Sequence, residues 1–376
     1  MSRTNAWFNQ WYECNGQKYI NIWHAYEDHF DDLLQGNTHI EYVFDPEFID
    51  SIKNIKRPKN LSYSYCKNLI VNRLKQLRKQ NRCLRLALGG GTDSFSILKY
   101  CVQNDIYLDE VFTHMASINE NNIKNNIEYL PALRYADEHV GKSIGVVSRF
   151  HPTIEECEIV FEHNWYKNND HCRGSQFPGR ITNCYGSEIN SAKTKLPFTD
   201  ALTIYGLDKP YVQCIDKKLY WSHIDGTIAE IMGTQNTLPL FFDKENPELA
   251  VAMTYALVEG CDNTIPFVGY DLLSKRDKKQ VLANMGLEST GHNFIDSALL
   301  GKKDFDNTTK KSMRLQNELI KLGLKDIISA FYVSMQDCIV KYTQLPSTIQ
   351  TKNNKSVALI RKFCQKVPIY QDTFGC

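Results

Sequence analysis

Three glycines followed by Thr, Asp and Ser form the segment Gly89–Ser94, whose residue types and spacing suit phosphate chemistry. An apolar stretch typical of a strand, Leu84–Leu88, precedes it, and a stretch typical of a helix, Phe95–Val102, follows it. Glycines let the backbone approach a ligand closely, and successive N–H groups then form a concavity that suits a phosphate. The positive end of the following helix favours the same ligand. We therefore predict nucleotide binding by Gly89, Gly90, Gly91, Thr92, Asp93 and Ser94.

Asp93 and Ser94 add side-chain chemistry to this loop. The Ser94 hydroxyl can donate a hydrogen bond to a phosphate oxygen. The Asp93 carboxylate would repel a phosphate unless a metal ion lay between them, and Mg²⁺ is commonly bound by one or two carboxylates together with substrate phosphates. A simple helix N-cap would explain this pair, but it would not require the preceding glycines. We predict that a pyrophosphate group and Mg²⁺ bind here, with Asp93 as a metal ligand.

The segment Gly89–Ser94 resembles the SGGxDS signature of the PP-loop ATP pyrophosphatases, and the chain is closest in pattern to the synthetase domain of asparagine synthetase. The resemblance runs from about Leu61 to Gly206. It includes a helix before the first strand, a long helix at Ile123–His139 that ends near Gly141, and a second loop after a later strand. The leading serine of the family signature is Gly89 here, which removes one hydroxyl from the expected pyrophosphate site.

The resemblance implies functions for a second loop, Tyr205–Pro210. Gly206 would contact the nucleotide, Asp208 would be a second metal ligand, and Lys209 would contact the pyrophosphate. An ordinary Asp-Lys-Pro turn explains the same residues equally well. The resemblance also implies that the adenine lies against the end of the second strand, at Thr113, His114 and Met115.

A polar segment rich in basic residues, Arg173–Lys195, precedes the strand predicted at Asp200–Gly206. Loops at the carboxyl ends of parallel strands form the ligand site in open sheets, so basic residues there can neutralise a polyphosphate. A solvated polar loop is the alternative for any single residue of the segment. We expect catalytic roles for Asp93 and Ser94 of the glycine-rich segment, for Lys209 of the second loop and for Arg180 of this polar segment.

Strand patterns that alternate with helix patterns predict an α/β fold with a parallel sheet and helices on both faces. The resemblance narrows this to a Rossmann-like, HUP-type PP-loop fold. The predicted strands are Leu84–Leu88, Glu110–Met115, Ser143–Ser148 and Asp200–Gly206, and helical spacing of Leu69, Ile70, Leu74 and Leu77 predicts a preceding helix.

The sequence predicts that the chain divides into three parts. Residues 1–60 form an aromatic-rich extension with a hairpin at Asn15-Gly16, residues 61–245 the nucleotide-binding domain, and residues 246–376 a mainly helical region. A second hairpin is predicted to turn at 216–218. Amphipathic helices are predicted at Pro247–Val258 and Met313–Tyr342.

The composition of the chain argues against several classes of protein function. A net charge of +1 argues against a protein whose main role is to coat nucleic acid or an acidic membrane. The twelve cysteines include no CxxC pair, and no apolar run has the length of a membrane span or a signal sequence. We therefore expect a cytoplasmic protein with reduced thiols and no membrane partner.

The expected function is ATP-dependent adenylation, which converts ATP to AMP and pyrophosphate and activates a carboxylate or carbonyl for amide or amine transfer. The glutaminase of the asparagine synthetases needs a cysteine after Met1, whereas this chain has Ser2. Ammonia or an amine is therefore expected as a free substrate or from a separate partner, and a homodimer is possible. The alternatives are a PP-loop enzyme that modifies a nucleobase or nucleotide, and a nucleotide-binding protein without catalysis.

Overall fold

A computed structural model describes the parts of the chain that contain the predicted phosphate loop and its supporting elements. The described residues are 11–19, 22–43, 46–53, 55–81, 83–115, 117–119, 121, 129–155, 157, 201–206, 210–215, 218–222, 237–259, 267–268, 275–287, 317–326 and 367–368.

The described strands form three sheets, and strands of different sheets alternate along part of the chain. The helices are α1 (Ile22–Asp28), α2 (Phe30–Gln35), α3 (Pro46–Lys53), α4 (Tyr63–Gln80), α5 (Thr92–Gln103), α6 (Leu130–Asp137), α7 (Pro247–Glu259) and α8 (Lys275–Asn284). The strands are β1 (Trp11–Cys14), β2 (Gln17–Tyr19), β3 (Glu41–Val43), β4 (Cys83–Ala87), β5 (Leu108–His114), β6 (Ile144–Phe150), β7 (Ala201–Tyr205), β8 (Tyr211–Ile215), β9 (Lys218–Ser222), β10 (Thr237–Pro239), β11 (Phe267–Val268) and β12 (Val367–Pro368).

A five-stranded parallel sheet, in the order β10-β7-β4-β5-β6, forms the centre of the fold. Helix α5 connects β4 to β5, and α6 lies between β5 and β6, as parallel neighbours require a crossover connection. The predicted α/β class with a parallel sheet and flanking helices is confirmed. The short strand β10 was not predicted, because three residues are too few to show a strand pattern.

Helix α4 carries the predicted apolar face. Ile70, Leu74 and Leu77 are fully buried, and the helix begins after Ser62, whose hydroxyl accepts a hydrogen bond from the N–H of Tyr65 at 3.2 Å. This N-cap satisfies one of the amides that a helix start leaves without a partner. Helix α4 therefore forms where the spacing of its leucines predicts it.

The helix predicted at Ile123–His139 is shorter in its described part. Helix α6 begins at Leu130, and its second residue is Pro131, which has no N–H and fits only the first turn of a helix. Residues 122–128 lie outside the described part. The helix ends with Glu138 at its C-cap, so Gly141, although its φ is +78°, does not cap it.

Both predicted hairpins are confirmed. The turn between β1 and β2 is Asn15-Gly16, whose φ angles of 50° and 77° match the type I′ turn that this pair favours. Strands β8 and β9 pair antiparallel, with Ile215 opposite Lys218, and belong to a four-stranded sheet in the order β11-β8-β9-β12.

Helix α7 differs from its prediction. Its residues Leu249–Val258 are all buried, so the helix is apolar on every side and not amphipathic. It contacts α3, α4 and α8. A helix that is enclosed on all sides needs no polar face.

Of the predicted helix Met313–Tyr342, the described residues include one helical turn, 317–321. Among the described residues, no helix has the length and apolar character needed to cross a membrane.

Candidate nucleotide-binding site

The phosphate loop lies where the order of the parallel strands reverses. From the central strand β4 the chain proceeds to β5 and β6 on one side of the sheet, and β7 and β10 lie on the other side. Such a reversal leaves a crevice at the carboxyl ends of the two strands on either side of it, here β4 and β7. Gly89–Ser94 follows β4 and Gly206 follows β7, so both segments lie at this end of the sheet.

The glycines of the loop differ in what they contribute. Gly90 has φ of +74°, a conformation that residues with a side chain rarely adopt. Gly91 has an extended backbone and is the N-cap of α5, which begins at Thr92. Thr92, Asp93 and Ser94 therefore form the first helical turn rather than part of the loop. A Cβ on Gly91 would meet no described atom within 4 Å, so there is space beside this position.

Ser94 closes the loop on itself. Its buried hydroxyl accepts a hydrogen bond from the N–H of Gly89 at 3.1 Å and lies 3.5 Å from the carbonyl oxygen of Gly91, to which it donates. The amide of Gly89 is thus bound to Ser94 within the loop. Because the second contact is long for a hydrogen bond between oxygens, its hydrogen is weakly held and can be redirected to a phosphate oxygen.

Asp93 lies in the first turn of α5, where the helix dipole stabilises a negative charge. Its Oδ1 atom is buried. Within the described ranges, no group of three or more His, Cys, Asp or Glu side chains can enclose a metal ion. One carboxylate at a phosphate-binding loop nevertheless fits Mg²⁺, which takes most of its other ligands from phosphate and water.

Gly206 lies directly against the start of α5. A Cβ at this position would lie 2.9 Å from the backbone nitrogen of Ser94, 3.0 Å from the carbonyl carbon of Asp93 and 2.8 Å from Cδ1 of Ile97. Real Cβ atoms do not approach backbone atoms so closely, so only glycine, which has no Cβ, fits between the end of β7 and the start of α5. The resemblance implies that Gly206 contacts the nucleotide, and the structure places Gly206 against the first turn of α5.

We expect Gly206→Ala to lower the free energy of unfolding by about 1–3 kcal/mol, because backbone atoms in a packed interior cannot move aside without strain. The displaced start of α5 should also weaken ATP binding. Urea unfolding of Gly206→Ala and Gly89→Ala checks this, since Gly89 is exposed and a Cβ there would lie at an ordinary contact distance of 3.9 Å from Oγ of Ser94, so this control should leave stability nearly unchanged. Equal stability of the two variants would contradict the close contact.

The end of the second strand is tied to the start of the phosphate loop. The hydroxyl of Thr113 donates to the carbonyl oxygen of Leu88 at 2.5 Å, and the N–H of Leu88 donates to the carbonyl oxygen of Phe112 at 2.7 Å. The buried Thr113 side chain therefore positions the loop rather than a base. The N–H of Met115 donates to Phe150 at 2.9 Å, so this amide of the predicted adenine edge is used within the sheet.

His114 is partly exposed at this edge and packs against two aromatic rings that also contact each other. Its ring centroid is 5.7 Å from that of Phe112 and 5.6 Å from that of Phe150. These contacts fix the imidazole of His114 against the two phenylalanine rings.

Beneath the loop, a buried ion pair joins two neighbouring strands. Nε of Arg85 on β4 donates to Oε2 of Glu110 on β5 at 2.5 Å, and Oγ of Ser148 on β6 donates to Oε1 of Glu110 at 2.5 Å. The side chains of Arg85 and Glu110 are 1% and 0% exposed. The sequence analysis did not identify this pair. An arginine in an otherwise apolar strand was its only sequence signal.

Tyr205 ends β7 beside the same pair and immediately before Gly206. Burial raises the pKa of the Tyr205 phenol to about 12, and the nearby charge of Arg85 partly opposes this rise. The phenol therefore remains protonated at neutral pH and does not act as a base there.

Three predicted site residues, Arg180, Asp208 and Lys209, lie outside the described residues. The structure brings together the loop Gly89–Ser94, the glycine after β7 and the end of β5.

A scan of the chain against models of known protein families finds no match, and a search of curated proteins finds none. The observations that favour a nucleotide site are therefore the loop sequence, the strand order and the contacts around α5.

Proposed function

We propose that the chain is an ATP-dependent adenylating enzyme that forms AMP and pyrophosphate and activates a carboxylate or carbonyl for amide or amine transfer. One observation carries this proposal: a glycine loop with Asp93 and Ser94 opens at the point where the parallel strand order reverses. This is the position at which open α/β sheets bind their ligands.

The residues of the loop have separate tasks in this proposal. The backbone around Gly90 and Gly91 and the N-terminal end of α5 would bind the β- and γ-phosphates. Ser94 would add its hydroxyl, and Asp93 would hold Mg²⁺ together with Asp208. The Mg²⁺ would neutralise the charge that develops on the leaving pyrophosphate. Lys209 and Arg180 would add positive charge that neutralises the polyphosphate.

The acceptor would attack the α-phosphorus through a carboxylate or carbonyl oxygen, with release of pyrophosphate. Ammonia or an amine, free or delivered by a separate protein, would then displace AMP. The loop at Gly89–Ser94 supports the nucleotide side of this proposal, and the acceptor class follows from the resemblance.

The direct test is calorimetric titration of the protein with ATP, with and without Mg²⁺, followed by assays of pyrophosphate release with candidate carboxylate acceptors. Magnesium-dependent ATP binding with acceptor-dependent pyrophosphate release is the expected result. Absence of ATP binding by the folded protein would refute the proposal. Binding without pyrophosphate release from any acceptor would favour a non-catalytic protein, and release only with a nucleobase or nucleotide acceptor would favour base modification.

We expect Gly89→Ser to strengthen pyrophosphate binding, because it supplies the hydroxyl that the family signature has at this position. There is room for it, since a Cβ on Gly89 would lie 3.9 Å from Oγ of Ser94. A gain of about threefold to tenfold corresponds to one additional hydrogen bond. Calorimetry with magnesium pyrophosphate measures the change, and weaker binding by Gly89→Ser would contradict the expected orientation of the loop.

A further inference from the structure

A carboxylate from the C-terminal part of the chain binds the loop that follows β5. Glu318 lies in the helical turn 317–321 and is 9% exposed. Its Oε1 atom accepts a hydrogen bond from the N–H of Asn119 at 3.3 Å and lies 3.0 Å from Oγ of Ser117, and its Oε2 atom accepts from the N–H of Ile118 at 2.7 Å. The single hydrogen of the Ser117 hydroxyl is shared between Glu318 and the carbonyl oxygen of Asn119, which is 2.9 Å away. Three donors of a loop that is remote in sequence thus face one side chain.

This loop, residues 117–119, belongs to the same edge of the sheet as the phosphate loop. It follows the end of β5, which Thr113 ties to Leu88 at the start of that loop. On its other side, Nδ1 of His151, just after β6, lies 2.8 Å from the carbonyl oxygen of Ser117. The loop therefore lies between the ends of two parallel strands, with Glu318 as an additional fixed point.

Glu318 holds the loop in one conformation because its acceptors match the donors of consecutive residues. Backbone N–H groups that lie outside a helix or sheet need another acceptor when they are shielded from water. Hydrogen bonds to an ionised carboxylate are stronger than those to a neutral group. A glutamine at this position would keep one oxygen but direct an NH₂ group at one of the donors, so that the two donors would face each other.

We propose that Glu318 is a positioning residue for the base of the nucleotide, and that it links docking of the turn 317–321 to nucleotide binding. This inference depends on the proposed function, which places the adenine at the end of β5. The carboxylate does not touch the phosphates. Its effect is to fix residues 117–119, whose backbone borders the region that the base would occupy.

The coupling between the conformation of the loop at 117–119 and nucleotide binding acts in both directions. If a fixed loop favours nucleotide binding, bound nucleotide favours the fixed loop to the same extent. ATP should therefore slow hydrogen exchange of the amides of Ile118 and Asn119, and also of Leu322, whose N–H donates to the carbonyl oxygen of Glu318 at 3.0 Å. Magnesium pyrophosphate, which lacks a base, should leave these amides unchanged.

The test compares Glu318→Gln with Glu138→Gln, the same change at an exposed residue at the C-cap of α6. Dissociation constants for ATP and for magnesium pyrophosphate are measured by calorimetry in each variant. We expect Glu318→Gln to weaken ATP binding about tenfold, the effect of one charge-assisted hydrogen bond, and to leave pyrophosphate binding unchanged. Glu138→Gln should bind both ligands like the unmodified protein.

Unchanged ATP binding by a folded Glu318→Gln variant would overturn the inference. Equal weakening of ATP and pyrophosphate binding would also overturn it, because the effect would then be a general loss of structure. If Glu318→Gln fails to fold, Ser117→Ala, which removes one of the three donors, is tested by the same comparison of ATP with pyrophosphate. Failure of the unmodified protein to bind ATP would instead refute the proposed function, and the inference with it.

Discussion

Asp93→Asn is expected to abolish the magnesium-dependent part of ATP binding. The substitution preserves the shape of the side chain but removes the charge that would bind Mg²⁺ beside the phosphates. Calorimetric titrations with ATP in the presence of Mg²⁺ and in its absence should give the same weak affinity for the variant. For the unmodified protein, Mg²⁺ should strengthen binding by a factor on the order of one hundred, as expected for a metal ion that neutralises a polyphosphate.

Asp105→Asn provides the matched control for this experiment. Asp105 lies two residues beyond the opposite end of α5, is exposed and has φ of 54°, a conformation that asparagine adopts readily. We expect it to bind ATP like the unmodified protein and to keep the response to Mg²⁺. If Asp93→Asn retained the full effect of Mg²⁺, Asp93 would not be a metal ligand and the site would need another explanation.

Glu110→Ala is expected to reduce the free energy of unfolding by about 3–5 kcal/mol. The substitution leaves the guanidinium of Arg85 buried without its carboxylate, and an uncompensated buried charge is among the most costly changes in a protein interior. It also removes the acceptor of the Ser148 hydroxyl. Urea unfolding followed by circular dichroism measures the change.

The double variant Arg85→Met with Glu110→Met separates charge from packing. Removal of both charges should recover most of the lost stability, because a buried ion pair can often be replaced by apolar side chains of similar volume. As a control, Asp50→Ala breaks an exposed pair with Lys53 and should cost less than about 1 kcal/mol. A small effect of Glu110→Ala, comparable to that of Asp50→Ala, would contradict the buried pair.

Local patterns in the sequence determined the elements that depend on neighbouring residues. The spacing of Leu74 and Leu77 predicts α4, and the pair Asn15-Gly16 predicts a hairpin whose turn has positive φ at both residues. The strand, glycine and helix signals around Gly89–Ser94 likewise predict the order of β4, loop and α5. Each of these signals acts within a few residues, so the chain before folding already contains it.

The tertiary structure alone decided which of these elements lie together. The contact of Gly206 with Ser94 exists because β7 pairs with β4, and no local pattern specifies the partner of a parallel strand. The ion pair of Arg85 and Glu110 has the same origin in the pairing of β4 with β5. The contacts of Glu318 with the loop at 117–119 require segments about 200 residues apart to pack together. Hydrophobic spacing determines which face of an element is buried, whereas the residues that meet across that face depend on the strand order and packing of the whole sheet.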